Sequence, residues 1–408
     1  MTEKCLILDN GSHTVKCGWR SDKSPVNLYN WIMRPKDRRR QFVGTQIDGC
    51  QDMSNIHITS PFQKGYLLNW TAQKTVWDSI FSDPLKVSPG ETHLIVTEPP
   101  LNFTSIQEAW DEVMFEEYGF RSLFRCSAST LTAFHYKQTH TDSQCCLIVD
   151  AGHAFTHIIP YHNGKQITAG TKRINVGGKH MCNLLKELIS YRQLNLLEET
   201  YACNLIKEDV CFVSTSFCEE MELAKKKDPS VLCEYVLPDF VNIHRGYVKL
   251  PDVTDDPDEA KKPEPNKEQM IRLSLERFTV PEILFNPSDI GIDTMGLTEA
   301  IVYAIKQCPT NMQPHLYNNI VIIGGSSKFQ NFKERILKDV RSCAPDEFNI
   351  NVYRPEDPIV EAWKGGQLLG GWPGYQNIRV TKSEYEECGP SVCAKKLFDS
   401  IPVGVNNT

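Results

Sequence analysis

The apolar positions of this chain come in short, near-continuous runs divided by polar turns, and two of the runs share one pattern. Leu6-Ile-Leu-Asp-Asn-Gly-Ser-His-Thr-Val-Lys16 predicts a strand buried on both faces, a tight turn with Gly11 and Ser12 at its tip, and a second strand bearing Lys16. Leu147-Ile-Val-Asp-Ala-Gly-His-Ala-Phe-Thr-His157 repeats that order, and Asp9 to Lys16 has the same spacing as Asp150 to His157. Most Asp-Gly turns only reverse the chain, so a single hairpin of this kind says little. Two facing tips would make a phosphate clamp: glycine lets backbone N–H groups approach an anion, and the carboxylates can hold a hydrated divalent cation.

Further elements follow from the same patterning. His93-Leu-Ile-Val-Thr97 predicts a buried strand, and Thr104 with Gln107 predicts a capping box opening a helix. The apolar face of that helix is Ile106, Trp110, Val113, Met114 and Tyr118, with Gly119 as its stop. Gly177-Gly178 precedes a helix with Met181, Leu184, Leu185, Leu188 and Ile189 on one side, and a later helical segment contains Lys207 and Glu208. Tyr317 to Ile323 predicts another buried strand, which ends in Gly324-Gly325-Ser326-Ser327 before a helix bearing Phe332, Ile336, Leu337 and Val340. Such a turn offers free N–H groups to an anion or an adenine-ribose edge, and equally serves as a plain N-cap. Strand and helix in repeated alternation predict an α/β layer structure.

Two stretches break the pattern. Residues 31–52 are polar and contain Arg34, Lys36, Arg38, Arg39 and Arg40, which predicts a solvated loop; a nuclear-entry signal or a site for an acidic partner is the sharper reading. Residues 251–268 hold four prolines and seven acids against three lysines, with no aromatic residue, which predicts a flexible surface insert.

Composition narrows the function. With 408 residues and 40% hydrophobic content, the chain is long enough for two or more cored lobes. A net charge of −7 argues against an unaided nucleic-acid binder and suits a basic protein partner. The cysteines number fifteen, an odd count without a C-x-x-C pair, and are expected to be reduced thiols of the cytosol or nucleus. No charged-then-apolar leader is visible, and no apolar run reaches the roughly 18 residues of a membrane span.

Taken together, eight motifs in order resemble actin and the actin-related proteins. They are the two hairpins, Pro61-Phe-Gln-Lys-Gly-Tyr-Leu-Leu-Asn-Trp70, Thr97-Glu-Pro-Pro-Leu-Asn102, Leu284-Phe-Asn-Pro-Ser-Asp-Ile-Gly291, Ile323-Gly-Gly-Ser-Ser327, Trp363-Lys-Gly-Gly366 and Glu384-Tyr-Glu-Glu-Cys-Gly-Pro-Ser391. The resemblance implies an α/β, actin-like two-lobed fold, shared with sugar kinases and heat-shock ATPases, with a nucleotide cleft between duplicated domains. Residues 1–143 with 341–408 would form the large lobe, with 31–60 as a reduced outer subdomain. Residues 144–340 would form the small lobe, with 177–277 as its outer subdomain. It also implies ATP or ADP with Mg or Ca. Gly11, Ser12 and Lys16 would meet the β- and γ-phosphates from one lobe and Gly152 from the other, and Asp9 and Asp150 would hold the cation through water. Lys207, Glu208, Gly324, Gly325, Ser326 and Phe329 would surround the adenosine.

Departures from the family pattern bear on activity. Conventional actin positions its attacking water with a glutamine and with the second hairpin's histidine. Here His157 is retained, but Cys126-Ser-Ala-Ser-Thr-Leu-Thr-Ala133 offers no glutamine, and His153 stands where actin has an acid. Losing a water-positioning group costs roughly 10²–10⁴-fold in rate, so no residue is assigned a catalytic role and turnover is expected to be slow or absent. Residues 31–52 also lack the long apolar-tipped loop of actin filaments, so no homopolymer is expected.

Within the family, Ser190-Tyr-Arg-Gln-Leu194, Lys207-Glu-Asp-Val-Cys211, Tyr235-Val-Leu-Pro-Asp-Phe240 and the stretch Arg277 to Gly291 resemble a nuclear class of actin-related proteins. That class implies a non-motor subunit of a chromatin-remodelling complex that places a Z-type variant histone into nucleosomes. Its partners would be the remodeller ATPase and companion subunits, with histones as further candidates and nucleosomal DNA only within the complex. A filament-forming ATPase and a phosphotransferase are the alternatives, since fold alone does not fix function.

Overall fold

A computed structural model describes residues 3–36, 40–50, 53, 56–249, 268–397 and 401. The chain opens with β1 (Lys4–Asn10), β2 (Thr14–Trp19) and β3 (Val26–Tyr29), then the short β4 (Ile32–Pro35), β5 (Phe42–Val43) and β6 (Ile56–Thr59). Helix α1 (Trp70–Ser82), β7 (Thr92–Glu98), α2 (Thr104–Glu112), β8 (Ser122–Ser127) and α3 (Ala128–Thr139) follow. The second half brings β9 (Cys145–Ala151), β10 (Thr156–His162), α4 (Gly178–Arg192), α5 (Thr200–Val210), β11 (Ile320–Ile323), α6 (Phe332–Cys343) and α7 (Glu361–Leu369).

Two six-stranded sheets share one plan. In the first, β1 pairs antiparallel with β2 and parallel with β7, and the order runs Val380–Thr381, β8, β7, β1, β2, β3. In the second, β9 pairs antiparallel with β10 and parallel with β11, and Val352–Tyr353 continues the sheet. The inner strands read as unbroken apolar runs because helices cover both faces. Each sheet carries its own core: Leu6, Leu94, Trp110, Phe124 and Trp363 around the first, Leu147, Leu185, Tyr235, Ile301 and Ile322 around the second.

The base of the cleft is built by α3 and α7. Both glycines of the Trp363-Lys-Gly-Gly366 motif face inward: a Cβ at Gly365 would lie 2.1 Å from the Leu131 carbonyl oxygen, and one at Gly366 would lie 2.7 Å from Ile7 Cγ2. Only glycine permits that approach. His135 Nδ1 also contacts a carboxylate oxygen of Glu361 across the pair.

Three expectations need correction. Residues 31–52 are not simply a solvated loop: β4 pairs with β5 and β6, and Trp31, Met33, Phe42, Ile47, Met53 and Ile56 bury a small core together with Phe240 from the second half. Thr104 and Gln107 form no capping box; Phe103 is the N-cap without a side-chain bond, and Gln107 Nε2 donates to Glu98 Oε1 at 2.7 Å. Glu98 also accepts from Arg125 in the buried interior, and a hydrogen bond to a charged group outweighs a cap. Gly324-Gly325 leads into a 3₁₀ turn, Gly325–Lys328, and α6 begins only at Phe332, with Leu337 exposed. The expected insert at 251–268 lies outside the described residues except for Glu268, as do Arg38 and Arg39. All fifteen cysteines are free and most are buried. Among the described residues no helix is long and apolar enough to cross a membrane.

Candidate functional site

The equal spacing of the two motifs is hairpin register. Asp9 is the cross-strand partner of Lys16, and Asp150 that of His157, so each hairpin sets its carboxylate beside a basic residue at the same distance from its tip. The hairpins face one cavity of about 720 Å³. Asp9, Gly11, Ser12, Lys16, Asp150, Gly152 and His157 line it from the hairpins; Lys207, Glu208, Gly324, Gly325, Ser326 and Phe329 line it from the second lobe. Every residue expected at the nucleotide or the cation is therefore placed at this cavity.

A fixed scaffold stands behind the first hairpin. Asn10, Asn30 and Gln73 are buried and close a ring of amides: Asn10 Nδ2 donates to Gln73 Oε1 (3.3 Å), Gln73 Nε2 to Asn30 Oδ1 (3.0 Å), and Asn30 Nδ2 to Asn10 Oδ1 (3.3 Å). Asn30 Nδ2 also reaches the Gly11 carbonyl at 2.8 Å, and Trp77 Nε1 donates to Asn10 Oδ1 at 3.2 Å. The tip is thereby anchored from below. Thr97 Oγ1 donates to Asp9 Oδ1 at 2.7 Å and takes the Asn10 N–H at 2.9 Å, tying β7 into the same site.

The charges are arranged for a cationic ligand. Lys16 Nζ lies 3.1 Å from Asp9 Oδ2. Burial, with the Asp9 charge beside it, pushes the Asp150 carboxyl up to about 6 against the opposing pull of Lys16. Two carboxylates sharing one ammonium leave negative charge that a divalent cation would balance. Among the described residues no group of three or more His, Cys, Asp or Glu could hold a metal, so phosphate and water oxygens would complete its shell.

On the adenosine side, Lys207 Nζ donates to Asn204 Oδ1 (2.6 Å) and the Gly178 carbonyl (3.3 Å), and Glu208 accepts from Asn204 Nδ2 (2.7 Å). Gly324 has φ +89°, and a Cβ there would lie 2.5 Å from the Ala151 carbonyl oxygen, so β11 can end against β9 only with glycine. The residues present fit a nucleotide with a divalent cation: Lys16 and the hairpin tips toward the phosphates, Asp9 and Asp150 toward the cation, and the second-lobe turn toward the adenosine. The nucleotide would supply phosphate oxygens and a ribose. The chain's own part is to hold them and exclude water.

The groups expected near an attacking water are sparse. Ala128, the first residue of α3, lines the cavity. His157 is pushed down to about 3, chiefly by burial and then by Arg173, and its buried Nε2 has no partner.

Sequence reasoning missed the aromatic groups that cross the cleft. His13 and His153 stack with ring centroids 4.4 Å apart and planes 25° apart. Trp31 stands edge-on to His13 at 4.7 Å, Tyr29 stacks on Trp31 at 4.6 Å, and Tyr201 meets Tyr29 at 6.0 Å. The available signal was a histidine within two residues of each hairpin's glycine, in Gly11-Ser12-His13 and Gly152-His153.

Comparison with known proteins agrees with this geometry. The actin family model matches residues 2–398. A protein called actin-related protein 6 from Drosophila melanogaster is 43% identical over 398 residues, covering 95% of this chain and 98% of the relative. An Arabidopsis thaliana protein of the same name is 36% identical, covering 96% of this chain and 99% of the relative. A protein of Yarrowia lipolytica called actin-like protein ARP6 is 38% identical, covering 96% and 97%. The chain belongs to the actin family, as an actin-related protein that resembles actin-related protein 6.

Proposed function

We propose that this protein is a nuclear, nucleotide-binding structural subunit of a chromatin-remodelling complex that exchanges a Z-type variant histone into nucleosomes, with little or no ATP hydrolysis of its own. The observation that carries the binding half is the pair of facing hairpins: Asp9, Lys16 and Asp150 meet across one cavity that also holds Lys207, Glu208 and the Gly324 turn. The low-turnover half is supported by Ala128 at the cleft where a water-positioning side chain would be needed, and by His157, whose basicity burial depresses and whose buried Nε2 has no partner.

Resemblance to actin-related protein 6 supports the assignment to the complex. ATP or ADP with Mg or Ca occupies the cleft; the remodeller ATPase and its companion subunits are the direct partners. Histones and nucleosomal DNA are met within the assembly. The basic segment supplies a partner surface at the first lobe's outer end. Arg34 and Arg40 are exposed there, while Lys36 is tied across to Glu198 of the second lobe.

The deciding experiment is purification of the tagged chain from nuclear extract, with mass spectrometry of its partners and chromatography of any released nucleotide. Recovery without remodeller subunits would sink the assembly reading, and turnover at the rate of conventional actin would sink the low-hydrolysis reading. Reconstitution with Arg38, Arg39 and Arg40 all replaced by Glu tests the basic segment: assembly with unchanged affinity would put the interface elsewhere.

A further inference from the structure

We infer that the His13–His153 pair stands where a terminal phosphate would enter, so that the closed cleft takes a nucleoside diphosphate in preference to a triphosphate. This rests on the nucleotide reading above and adds a selectivity to it. The phosphate-contacting positions implied for this chain, Gly11, Ser12 and Lys16 on one hairpin and Gly152 on the other, lie within three residues of the two histidines, and Ser12 and Gly152 adjoin them directly. With ring centroids 4.4 Å apart, the tips are separated by stacked imidazoles and no gap for a phosphoryl group lies between the rings.

Neither ring has an easy retreat. His13 is edge-packed by Trp31 at 4.7 Å and Tyr29 at 5.6 Å. His153 lies under the turn that opens α4: its carbonyl accepts the Lys179 N–H at 2.8 Å, and a Cβ on Gly178 would come 3.4 Å from its Nδ1. The tip donors are also engaged, since Gly152 N–H bonds the Phe155 carbonyl at 3.0 Å and Gly11 N–H the Asp9 carbonyl at 3.2 Å.

Charge points the same way. A third phosphate brings more negative charge to this end of the cleft than a diphosphate sharing the same divalent cation, and further positive side chains would be needed to offset it. Lys16 is already paired with Asp9. The histidines cannot help: burial, then Lys207 and Lys16, push His13 down to about 3, and burial with the neighbouring cations takes His153 well below its usual value, so both are neutral at pH 7. Nδ1 of His13 is buried without a hydrogen-bond partner, so no neighbour offsets the loss of its hydration.

The test is titration of the full-length, nucleotide-stripped protein with Mg-ADP and Mg-ATP at pH 7.5, by calorimetry. The wild-type chain is expected to bind ADP roughly tenfold or more tightly than ATP, the bias that one broken aromatic contact plus an uncompensated charge produces. In the His13→Gly/His153→Ala protein that ratio should fall to about threefold or less. Equal wild-type affinity for the two nucleotides overturns the inference while leaving the nucleotide reading intact, and so does a double variant that keeps the full preference. Should neither nucleotide bind at millimolar concentration, the nucleotide reading falls and this inference with it. If the double variant does not fold, the wild-type ratio decides alone, and His13→Ala gives a milder version of the same comparison.

Discussion

Replacing Gln73 by Met should weaken the first lobe out of proportion to the change in shape. Gln73 is fully buried, accepts from Asn10 Nδ2 and donates to Asn30 Oδ1. Methionine fills nearly the same volume, so the cavity term is small and the lost bonds dominate. Asn10 Nδ2 loses its acceptor and Asn30 Oδ1 its donor. Each orphaned buried group costs about 1–3 kcal/mol, which gives a loss of roughly 4 kcal/mol for the pair. Urea unfolding followed by tryptophan emission isolates the effect. Of the seven tryptophans six pack on the first core and only Trp31 sits in the small core that Phe240 joins, so their emission reports chiefly the first lobe. Trp77 itself donates to Asn10 and will register the disturbance directly. A two-lobed chain need not unfold in one step, so the comparison is of the midpoint and slope of that emission transition. A loss below about 1 kcal/mol would mean that the amide ring relaxes freely or admits water, and the claim that it holds the Gly11 tip in place would be refuted.

Other expectations are simpler to state. Asp9→Ala and Lys16→Ala should each lower nucleotide retention at least roughly tenfold by equilibrium dialysis, the effect of removing a charged contact; unchanged retention would place the nucleotide elsewhere. Arg125 is buried, with Nη1 2.5 Å from Glu98 Oε1 and Nη2 3.1 Å from Asp111 Oδ2, so Arg125→Met should cost about 3–5 kcal/mol in the same urea assay by stranding two buried carboxylates. Triple replacement with Glu98→Gln and Asp111→Asn should recover part of that loss. Stability of the nucleotide-free protein should also fall on acidification below about pH 6.5, because His13 and His153 stay neutral in the fold while the unfolded chain takes up protons. Each depressed histidine adds roughly 1.4 kcal/mol of loss per pH unit below that point, down to its folded value, and His13→Phe should remove its share of the slope. Lys207 and Lys16 face the His13 ring, and His13, Lys207, Lys179 and His180 face His153, so these neighbours reinforce the trend.

The hairpins, the α/β alternation and the membership of the cavity were legible because each is written in contiguous residues: a repeated run, a glycine at a tip, a helical stripe. What stayed hidden depends on residues far apart in sequence. Nothing near Asn10 announces that its amide meets Asn30 and Gln73. The core of residues 31–58 was masked by its own arginines: Trp31, Met33, Phe42, Ile47 and Ile56 follow no single period, and their burial is completed by Phe240. The capping box at Thr104 had the right letters, but Gln107 was drawn away by a buried carboxylate that only the fold brings near. The cleft aromatics fall between these cases, since each histidine was visible near its glycine while their stacking required both hairpins at once.

The helix pair at the base of the cleft also says where closure must be decided. Gly365 and Gly366 remove the side chains that would otherwise hold α7 off α3 and β1, so these three elements of the first lobe pack closely together. α3 also packs Ala133 and Tyr136 against Cys146, Ile148 and Val321 of the second sheet, so this helix is the joint that both lobes share. Whatever holds the cleft shut must act at the opposite end, where leverage is greatest, and that is where His13 meets His153, Tyr29 meets Tyr201 and Lys36 reaches Glu198. A partner that grips this outer end would set the aperture of the whole molecule, whereas one bound at the base could hold the chain without disturbing what the cleft contains.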